Sequence, residues 1–258
     1  MRLATFFGLA AILKSLTTYT LATVLILFAT GLEKSAAAQT NSGQPDVARE
    51  SFDGLKQSMT RHWPKNRLIC FVFHGHSVPA GYFRTPTIRR FDSYPVLFHK
   101  ALCEISPSAV IDVCTTAIGG KNSQGGSKRF ANDVLTMNPD VVFTDYGLND
   151  REIGVEAAEK ARRSMINQEL RKQVKIVSLT RTPDSREDIR ETNSPLARHT
   201  RSIRGPGGEF GLPVVNSYGA FRQLVFDGSE VSSFLSQPNH PNRKGHDLVA
   251  DLILELFR

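Results

Sequence analysis

Five apolar runs of strand length recur along the chain and alternate with longer polar stretches. They are rich in Val, Ile and Phe and cover residues 68–73, 109–114, 140–144, 174–179 and 213–216. Continuous apolar runs of this length are typical of strands buried on both faces of a parallel sheet. The alternation of strands with helical stretches predicts an α/β protein, built as a three-layer α/β/α sandwich around a parallel sheet of about five strands.

The stretches between the apolar runs include five helix candidates. These cover residues 94–104, 126–137, 152–172, 195–203 and 242–257. Two polar stretches are predicted as loops: residues 181–193, long and charged enough for a flexible cap, and residues 206–208. Because open parallel sheets bind ligands at the carboxyl ends of their strands, chemistry is expected just after each apolar run.

The first 38 residues have the composition of an export signal. Arg2 and Lys14 supply positive charge, residues 15–32 carry no charge, and Ala36 to Ala38 offer a small-residue cleavage site. The alternative is an uncleaved membrane anchor through residues 15–32, since 18 uncharged residues are just long enough to span a bilayer. We therefore divide the chain into a signal peptide or anchor (1–38), a polar linker (39–51) and one domain (52–258). The domain is predicted to be periplasmic or secreted, or anchored facing outside the cytoplasm.

Charge and cysteine content limit the remaining function classes. The net charge is +7, and removing a leader with Arg2, Lys14 and Lys34 against Glu33 leaves 7 − 2 = +5. The excess is spread out and does not form one basic run, so we predict no nucleic-acid partner. Three cysteines, Cys70, Cys103 and Cys114, imply no disulfide framework, although one bridge among them stays open. The oligomeric state is not predicted.

Four polar motifs follow the apolar runs or precede the last helix. Ser77 lies in a turn after the first run, Gly120 in a glycine turn after the second, Asn149 after the third, and His240 ahead of the final helix. A hydroxyl nucleophile, backbone and amide hydrogen-bond donors and an imidazole base are the parts that acyl transfer requires.

These four motifs resemble the four blocks of the SGNH (GDSL-like) hydrolase family, in the family's order. The string from His240 to His246, His-Pro-Asn-x-x-Gly-His, is the most specific match. The resemblance implies a flavodoxin-like SGNH fold and a carboxylic ester hydrolase with Ser77 as nucleophile and His240 as base. It also implies an oxyanion hole from the N–H groups of Ser77 and Gly120 and the Asn149 amide, and no metal or organic cofactor.

The sequence departs from the family pattern at two positions. The usual Gly-Asp-Ser reads Gly75-His76-Ser77, and His76 is expected to make a local hydrogen bond. The family's Asp three residues before the catalytic histidine is Gln237 here. Gln237 is predicted to orient His240 by accepting a hydrogen bond from Nδ1–H, a role that a backbone carbonyl could also fill. Neither supplies a full charge, so the expected machinery is a Ser–His dyad.

Two alternatives, a zinc site and a non-catalytic binding protein, accompany this prediction. His74 and His76 have the His-x-His spacing of a zinc site, with His240 or His246 as a further ligand. Asp145, Asp150 and Arg181 are expected at the rim of the cleft, where they face solvent in preference to substrate. A non-catalytic SGNH-fold protein that binds a glycan or envelope partner is the alternative function. For the enzyme, the polar cap candidate favours short acyl esters, such as O-acetyl groups on carbohydrate, over long-chain lipids.

Overall fold

A computed structural model describes residues 52–258 of the chain. The predicted leader (1–38) and the predicted linker (39–51) lie outside these residues. Within residues 52–258, no helix is both long enough and apolar enough to cross a membrane.

The central sheet has five parallel strands in the order β2-β1-β3-β4-β5. The strands are β1 (Leu68–Gly75), β2 (Val110–Thr115), β3 (Val141–Asp145), β4 (Lys175–Leu179) and β5 (Val214–Val215). All five predicted runs form strands, and the predicted parallel sheet is confirmed. This strand order is that of flavodoxin-like folds, which bind ligands at the carboxyl edge between β1 and β3.

The strands differ in burial according to their place in the sheet. β3 is buried along its whole length and β1 from its second residue onward, whereas β2 is only partly buried. The expectation that every run is buried on both faces is therefore wrong for β2, because it is an edge strand. Cys70 in β1, Cys114 in β2 and Cys103, which precedes β2, are all free thiols.

Eight helices cover the described residues, together with four short 3₁₀ segments. The helices are α1 (Asp53–Met59), α2 (Ser77–Ala80), α3 (Tyr94–Ile105), α4 (Ser123–Asp133), α5 (Val155–Leu170), α6 (Pro195–Glu209), α7 (Ser217–Phe226) and α8 (Arg243–Leu254). The 3₁₀ segments are Arg90–Asp92, Leu135–Met137, Asn149–Glu152 and Val231–Phe234. A two-stranded antiparallel sheet, β6 (Leu235–Gln237) and β7 (His240–Pro241), precedes α8.

Two helix predictions need correction. Residues 206–208 lie inside α6 and not in a loop. The helix continues because it packs closely on β5: an added Cβ at Gly207 would lie 2.5 Å from a methyl group of Val214. Tertiary contact thus overrides the usual loop signal of Pro and Gly. Helix α7, which buries Phe221 and Val225, was not predicted.

Hydrophobic cores on the two faces of the sheet create the three layers. Phe71 and Phe73 of β1 belong to one core with residues of α3, α7 and α8, and Phe73 stacks on Phe143 at 4.4 Å. Val72 of the same strand belongs to the second core with residues of α4 and α5. Alternate residues of one strand therefore serve opposite faces. This arrangement fixes the carboxyl edge of the sheet, where the loops with the predicted site residues emerge.

Candidate active site

Ser77 is placed by a tight passage from β1 into α2. Gly75 ends β1 against β3, and a Cβ at Gly75 would lie 2.6 Å from the backbone oxygen of Asp145, so a larger residue does not fit. His76 then begins the short helix, because its Nδ1 accepts a hydrogen bond from the Val78 N–H at 3.2 Å. This is the local hydrogen bond expected of His76. Ser77 follows at the sheet edge and is 6% exposed.

The structure brings the side chains of Ser77 and His240 together across 163 residues of sequence. The Oγ of Ser77 and the Nε2 of His240 are 2.8 Å apart. Both residues are buried, and the ring of Tyr82 lies 6.0 Å from the imidazole. Burial and the neighbouring His76 lower the pKa of His240 to about 4, against a hydrogen bond with the Phe83 backbone carbonyl that raises it. His240 is therefore neutral at pH 7 and has a lone pair for a proton.

Gln237 contacts His240, but with the polarity opposite to the prediction. Its Nε2 lies 2.5 Å from His240 Nδ1, while its Oε1 accepts the backbone N–H of Thr85 at 3.0 Å. The amide nitrogen also donates to Asn239 Oδ1 at 3.2 Å. The same nitrogen donates to Thr85 Oγ1 at 3.4 Å. Because the Thr85 backbone N–H can only donate, the amide oxygen faces that N–H and the amide nitrogen faces the ring. In this arrangement Gln237 donates to Nδ1 and supplies no acceptor for an Nδ1 proton.

The two other predicted oxyanion residues lie on loops that are joined to each other. Asn149 Nδ2 donates to the backbone oxygen of Lys121 at 3.0 Å, directly after Gly120. Gly120 has φ +73°, a left-handed conformation that favours glycine, and it is exposed. The backbone N–H of Ile118 donates to the Gly75 oxygen at 3.1 Å, which places this turn beside the loop that carries Ser77. The Asn149 amide has a second N–H for a ligand oxygen.

Asp145 is buried beneath the loop that carries Ser77, not at the solvent rim as predicted. It is 3% exposed, and its Oδ2 accepts the Tyr94 hydroxyl at 2.9 Å. Its Oδ1 lies 3.5 Å from His76 Nε2. The Nδ1 of His246 in turn accepts the backbone N–H of Tyr94 at 3.3 Å. This network connects β3, α3 and α8 below Ser77, so it supports the position of the loop from inside the protein.

Asp150 and Arg181 are also fully buried, which corrects their predicted place in solvent. Asp150 accepts Arg162 Nη1 at 2.8 Å and the Ser123 backbone N–H at 2.7 Å. It therefore ties the Asn149 turn to the start of α4, which follows the Gly120 turn.

Arg181 donates to the Gly147 oxygen at 2.5 Å, two residues before Asn149. Its Nε and Nη2 have no hydrogen-bond partner among residues 52–258. Burial lowers the pKa of Arg181 to about 9, against the attraction of Asp150, so the guanidinium is charged at pH 7. An added Cβ at Gly147 would lie 2.5 Å from Nη2, which shows how closely the guanidinium fits under this turn.

The predicted cap segment, residues 181–193, is anchored and not a free loop. Arg151 and Arg186 both donate to Asp184, and the Ser185 N–H donates to the Pro238 oxygen at 2.8 Å. Burial raises the pKa of Asp184, but the hydrogen bonds from the two arginines outweigh it and the pKa lies below its usual range. The charge pattern alone suggested a solvated loop, because it does not reveal which charges pair.

The His-x-His pair faces two different surroundings. His74 Nδ1 lies 2.7 Å from Thr116 Oγ1 and its Nε2 3.3 Å from the Gly126 oxygen. His76 instead contacts Val78 and Asp145. The described part of the chain contains no group of three or more His, Cys, Asp or Glu residues arranged to hold a metal ion.

Sequence reasoning missed Tyr82, Phe83 and Thr85, which contact His240 or Gln237. The segment follows the Ser77 motif immediately, but it carries no sequence signal that points to His240, 155 or more residues away.

Comparison with known proteins identifies the family. The model of the GDSL-like lipase/acylhydrolase family matches residues 73–248. No curated protein sequence gives a significant match.

Several solved structures share the fold. The acetylxylan esterase Axe2 from Geobacillus stearothermophilus superposes with a TM-score of 0.62 at 19% identity, over 73% of this chain and 94% of that one. The acetyl xylan esterase AlAXEase gives 0.61 at 19% identity, over 72% and 98%. An alpha/beta hydrolase enzyme from the metagenome of Lake Arreo, Spain, gives 0.63 at 18% identity, over 77% and 97%.

The family match covers all four motifs and the loops that carry them, on a sheet with the expected strand order. This chain belongs to the GDSL-like lipase/acylhydrolase family and is a carboxylic ester hydrolase.

Proposed function

We propose that the protein is an exported serine esterase that removes short acyl groups, such as O-acetyl, from carbohydrate, with Ser77 as nucleophile and His240 as base. The observation that carries the proposal is the 2.8 Å contact between Ser77 Oγ and His240 Nε2. A hydroxyl within hydrogen-bond reach of a neutral imidazole is the arrangement that general-base activation requires.

The reaction proceeds in two acyl-transfer steps. His240 Nε2 takes the Ser77 proton as Oγ attacks the ester carbonyl, and the oxyanion is held by the N–H groups of Ser77 and Gly120 and the Asn149 amide. The protonated imidazole gives the proton to the departing alcohol, which leaves an acyl-Ser77. Water then attacks the acyl group with His240 again as base, releasing the acid and restoring the hydroxyl.

His240 must carry its resting proton on Nδ1 to act as a base through Nε2. A hydrogen bond with the Phe83 backbone carbonyl raises the pKa of His240, and we propose that this carbonyl accepts the Nδ1 proton. The Gln237 amide nitrogen at 2.5 Å competes with it, because it favours the tautomer protonated on Nε2. We expect a working dyad whose rate is limited by this competition.

Two features support a short acyl group on carbohydrate. In the segment that follows β4, the buried Asp184 carboxylate pairs with two arginines, and a charged segment of this kind disfavours a long apolar chain. The exposed turn at Gly120 and the half-buried ring of Tyr82 leave an open, partly aromatic site. Two proteins that share the fold are described as acetylxylan esterases. Export is supported by the leader sequence, with its uncharged stretch 15–32 and Ala36-Ala37-Ala38.

The test is p-nitrophenyl acetate hydrolysis by the purified protein, followed by labelling with a fluorophosphonate and mass spectrometry. We expect Ser77→Ala and His240→Ala each to lower kcat by at least about 10³-fold. Ser164→Ala, an exposed serine on α5, is the matched control and should retain full activity. The label should appear on the peptide containing Ser77.

Two outcomes would contradict the proposal. Equal rates for the protein and Ser77→Ala would assign the chemistry elsewhere, and near-blank rates for both would favour the glycan-binding alternative. Release of acetate from acetylated xylan, compared with release of long fatty acids from triglyceride, tests the acyl preference. N-terminal sequencing of protein recovered outside the cytoplasm tests export and cleavage after Ala38.

A further inference from the structure

Two loops at the mouth of the site carry exposed cations that have no carboxylate partner. Arg84 and Arg89 lie in the loop of residues 82–90, which follows the nucleophile helix, and Lys121 follows Gly120. We call these three side chains the cationic rim. Among residues 52–258, no Asp or Glu oxygen lies within 4.0 Å of any of them; the ion pairs found there involve other cations.

The loop of residues 82–90 is attached to the strand pair that carries His240. Arg84 Nε donates to the Ser236 oxygen at 2.9 Å, and the neighbouring Thr85 N–H holds Gln237 at 3.0 Å. The guanidinium of Arg89 lies 3.9 Å from the centre of the Phe83 ring. Both arginines are thus held beside the histidine end of the site by contacts that leave their charge uncompensated.

The Lys121 side of the rim is joined to the same loop through Tyr82. The Tyr82 ring packs on Gly119, where an added Cβ would lie 2.8 Å from a ring carbon. Lys121 itself accepts the Asn149 amide through its backbone oxygen, so its side chain begins next to the predicted oxyanion hole. The rim therefore extends along two touching loops, one on each side of an aromatic ring that faces His240.

Several arginines elsewhere on the surface have carboxylate partners. Arg67 faces Asp140 at 2.7 Å and Arg163 faces Glu209 at 2.6 Å. Even Asp92, near the end of the 82–90 loop, pairs with Arg243 of α8 at 3.2 Å. The one carboxylate close in sequence is thereby occupied outside the rim. Unpaired positive charge around a site attracts anionic substrates and raises their rate of association.

We propose that the acyl ester is carried by an anionic glycan, whose carboxylate or phosphate groups bind Arg84, Arg89 and Lys121 while Tyr82 faces the sugar next to the ester. This inference rests on the proposed esterase function and specifies its substrate. The rim spans more than one loop, so sugars on both sides of the acylated unit contribute charge. Arginine is suited to this role because its planar guanidinium pairs with both carboxylate and phosphate.

The experiment compares polymers of equal acetyl content with the full-length protein. O-acetylated polygalacturonate supplies carboxylates, an O-acetylated polyol phosphate supplies phosphates, and acetylated xylan is the neutral reference. Each kcat/KM is divided by that for p-nitrophenyl acetate. We expect at least one anionic polymer to exceed xylan by about tenfold at low salt, and the advantage to disappear at about 0.5 M NaCl. The polymer that is preferred identifies the anion.

The variants test the residues. Arg84→Gln, Arg89→Gln and Lys121→Gln in one protein should remove most of the anionic preference. The matched control removes the same charge from exposed cations at the opposite edge of the sheet, Arg61→Gln, Lys65→Gln and Lys172→Gln, and should keep the preference.

Several results would overturn the inference while leaving the esterase proposal intact. One is turnover of p-nitrophenyl acetate with no preference for either anionic polymer. Another is an equal loss of preference in the two triple variants. A third is that the rim variant loses only co-sedimentation with anionic lipid vesicles and keeps its polymer preference. That result would assign the three cations to membrane binding. Absence of any Ser77-dependent turnover would instead refute the esterase proposal itself.

Discussion

The two sides of the catalytic edge handle charge in opposite ways. Beneath the β3 and β4 loops, buried carboxylates meet arginines: Asp150 pairs with Arg162 at 2.8 Å and Asp184 with Arg151 at 2.9 Å. On the histidine side, no carboxylate of residues 52–258 forms a hydrogen bond or an ion pair with His240, and the residue at its Nδ1 is Gln237 at 2.5 Å. The protein therefore contains buried carboxylates close to the site, but they hold loops and do not polarise the base.

This difference separates two requirements of catalysis. A stable oxyanion hole needs loops that do not move, and buried ion pairs with several hydrogen bonds supply that rigidity. A strong base needs a charge that favours the imidazolium, which only a carboxylate at Nδ1 would supply. The described residues supply the buried ion pairs of the first requirement, but at Nδ1 of His240 they supply a neutral amide in place of the carboxylate. Four predictions test this division, in order of decreasing free energy.

Asp150→Asn should give the largest effect, on stability. The substitution leaves Arg162 buried without its counter-ion, which costs about 3–5 kcal/mol of unfolding free energy. Urea denaturation measures it, with Asp188→Asn as control, since that exposed pair with Arg190 is worth under about 1 kcal/mol. Equal losses would remove the distinction between the buried and exposed pairs. If Asp150→Asn does not fold, Asp150→Asn with Arg162→Met should restore folding.

Arg181→Met should lower kcat by about 10²-fold with little change in KM, because the buried charge and the Gly147 hydrogen bond support the turn that carries Asn149. Arg181→Lys keeps the charge and should recover part of the rate. Arg186→Met, which alters an exposed arginine of the same segment, is the control. A kcat equal to that of the unmodified protein would show that the turn holds without the guanidinium.

Gln237→Glu should raise kcat by at least about tenfold, because a carboxylate of the same shape accepts the Nδ1 proton and stabilises the imidazolium. The pH profile should move as well. The pKa of His240 is about 4, so kcat/KM of the unmodified protein falls only in acid, near that value. The carboxylate raises this pKa and shifts the acid limb to higher pH.

Gln237→Leu is the control for that variant, since it removes the amide without adding charge. An equal gain in both variants would mean that the amide inhibits the base and that the charge adds nothing. No change in either would show that Gln237 does not affect the tautomer of His240.

Glu169→Gln should give the smallest effect. It tests the cost of burying a carboxyl group that has no hydrogen-bond partner among residues 52–258. Glu169 of α5 is fully buried, neither oxygen has a hydrogen-bond partner among residues 52–258, and burial raises its pKa well above the usual range. Folding therefore favours the protonated carboxyl, so the contribution of Glu169 to stability is greatest below about pH 4.3 and falls as the pH rises toward the raised pKa.

The variant should remove this loss and become more stable than the unmodified protein by about 1 kcal/mol for each pH unit above 5. Urea denaturation at pH 5 and 6 measures the difference. Glu159→Gln on the same helix should show no such slope, because Glu159 is partly exposed and pairs with Arg163. A flat difference for Glu169→Gln would show that the carboxyl is ionised in the folded protein.

Short sequence windows were enough to predict the strands and the motifs that follow them. The apolar runs identified all five strands, and the motifs after them placed Ser77 and His240 on segments that meet at 2.8 Å. Strand identity depends on a few consecutive side chains, and parallel strands bring their carboxyl ends to one edge whatever separates them in sequence. The edge position of β2 and the helical path of residues 206–208 were not predictable, because both depend on which element lies alongside.

What the sequence by itself determined is the α/β class, the strands and the order of the four motifs, because these follow from periodicity and residue chemistry within short windows. Only the tertiary structure decided that Asp145, Asp150 and Arg181 are buried, and that the Gln237 amide turns its nitrogen toward His240. The identity of a charged residue does not reveal whether its side chain faces solvent or a buried counter-ion. Its environment is set by residues that folding brings from distant parts of the chain.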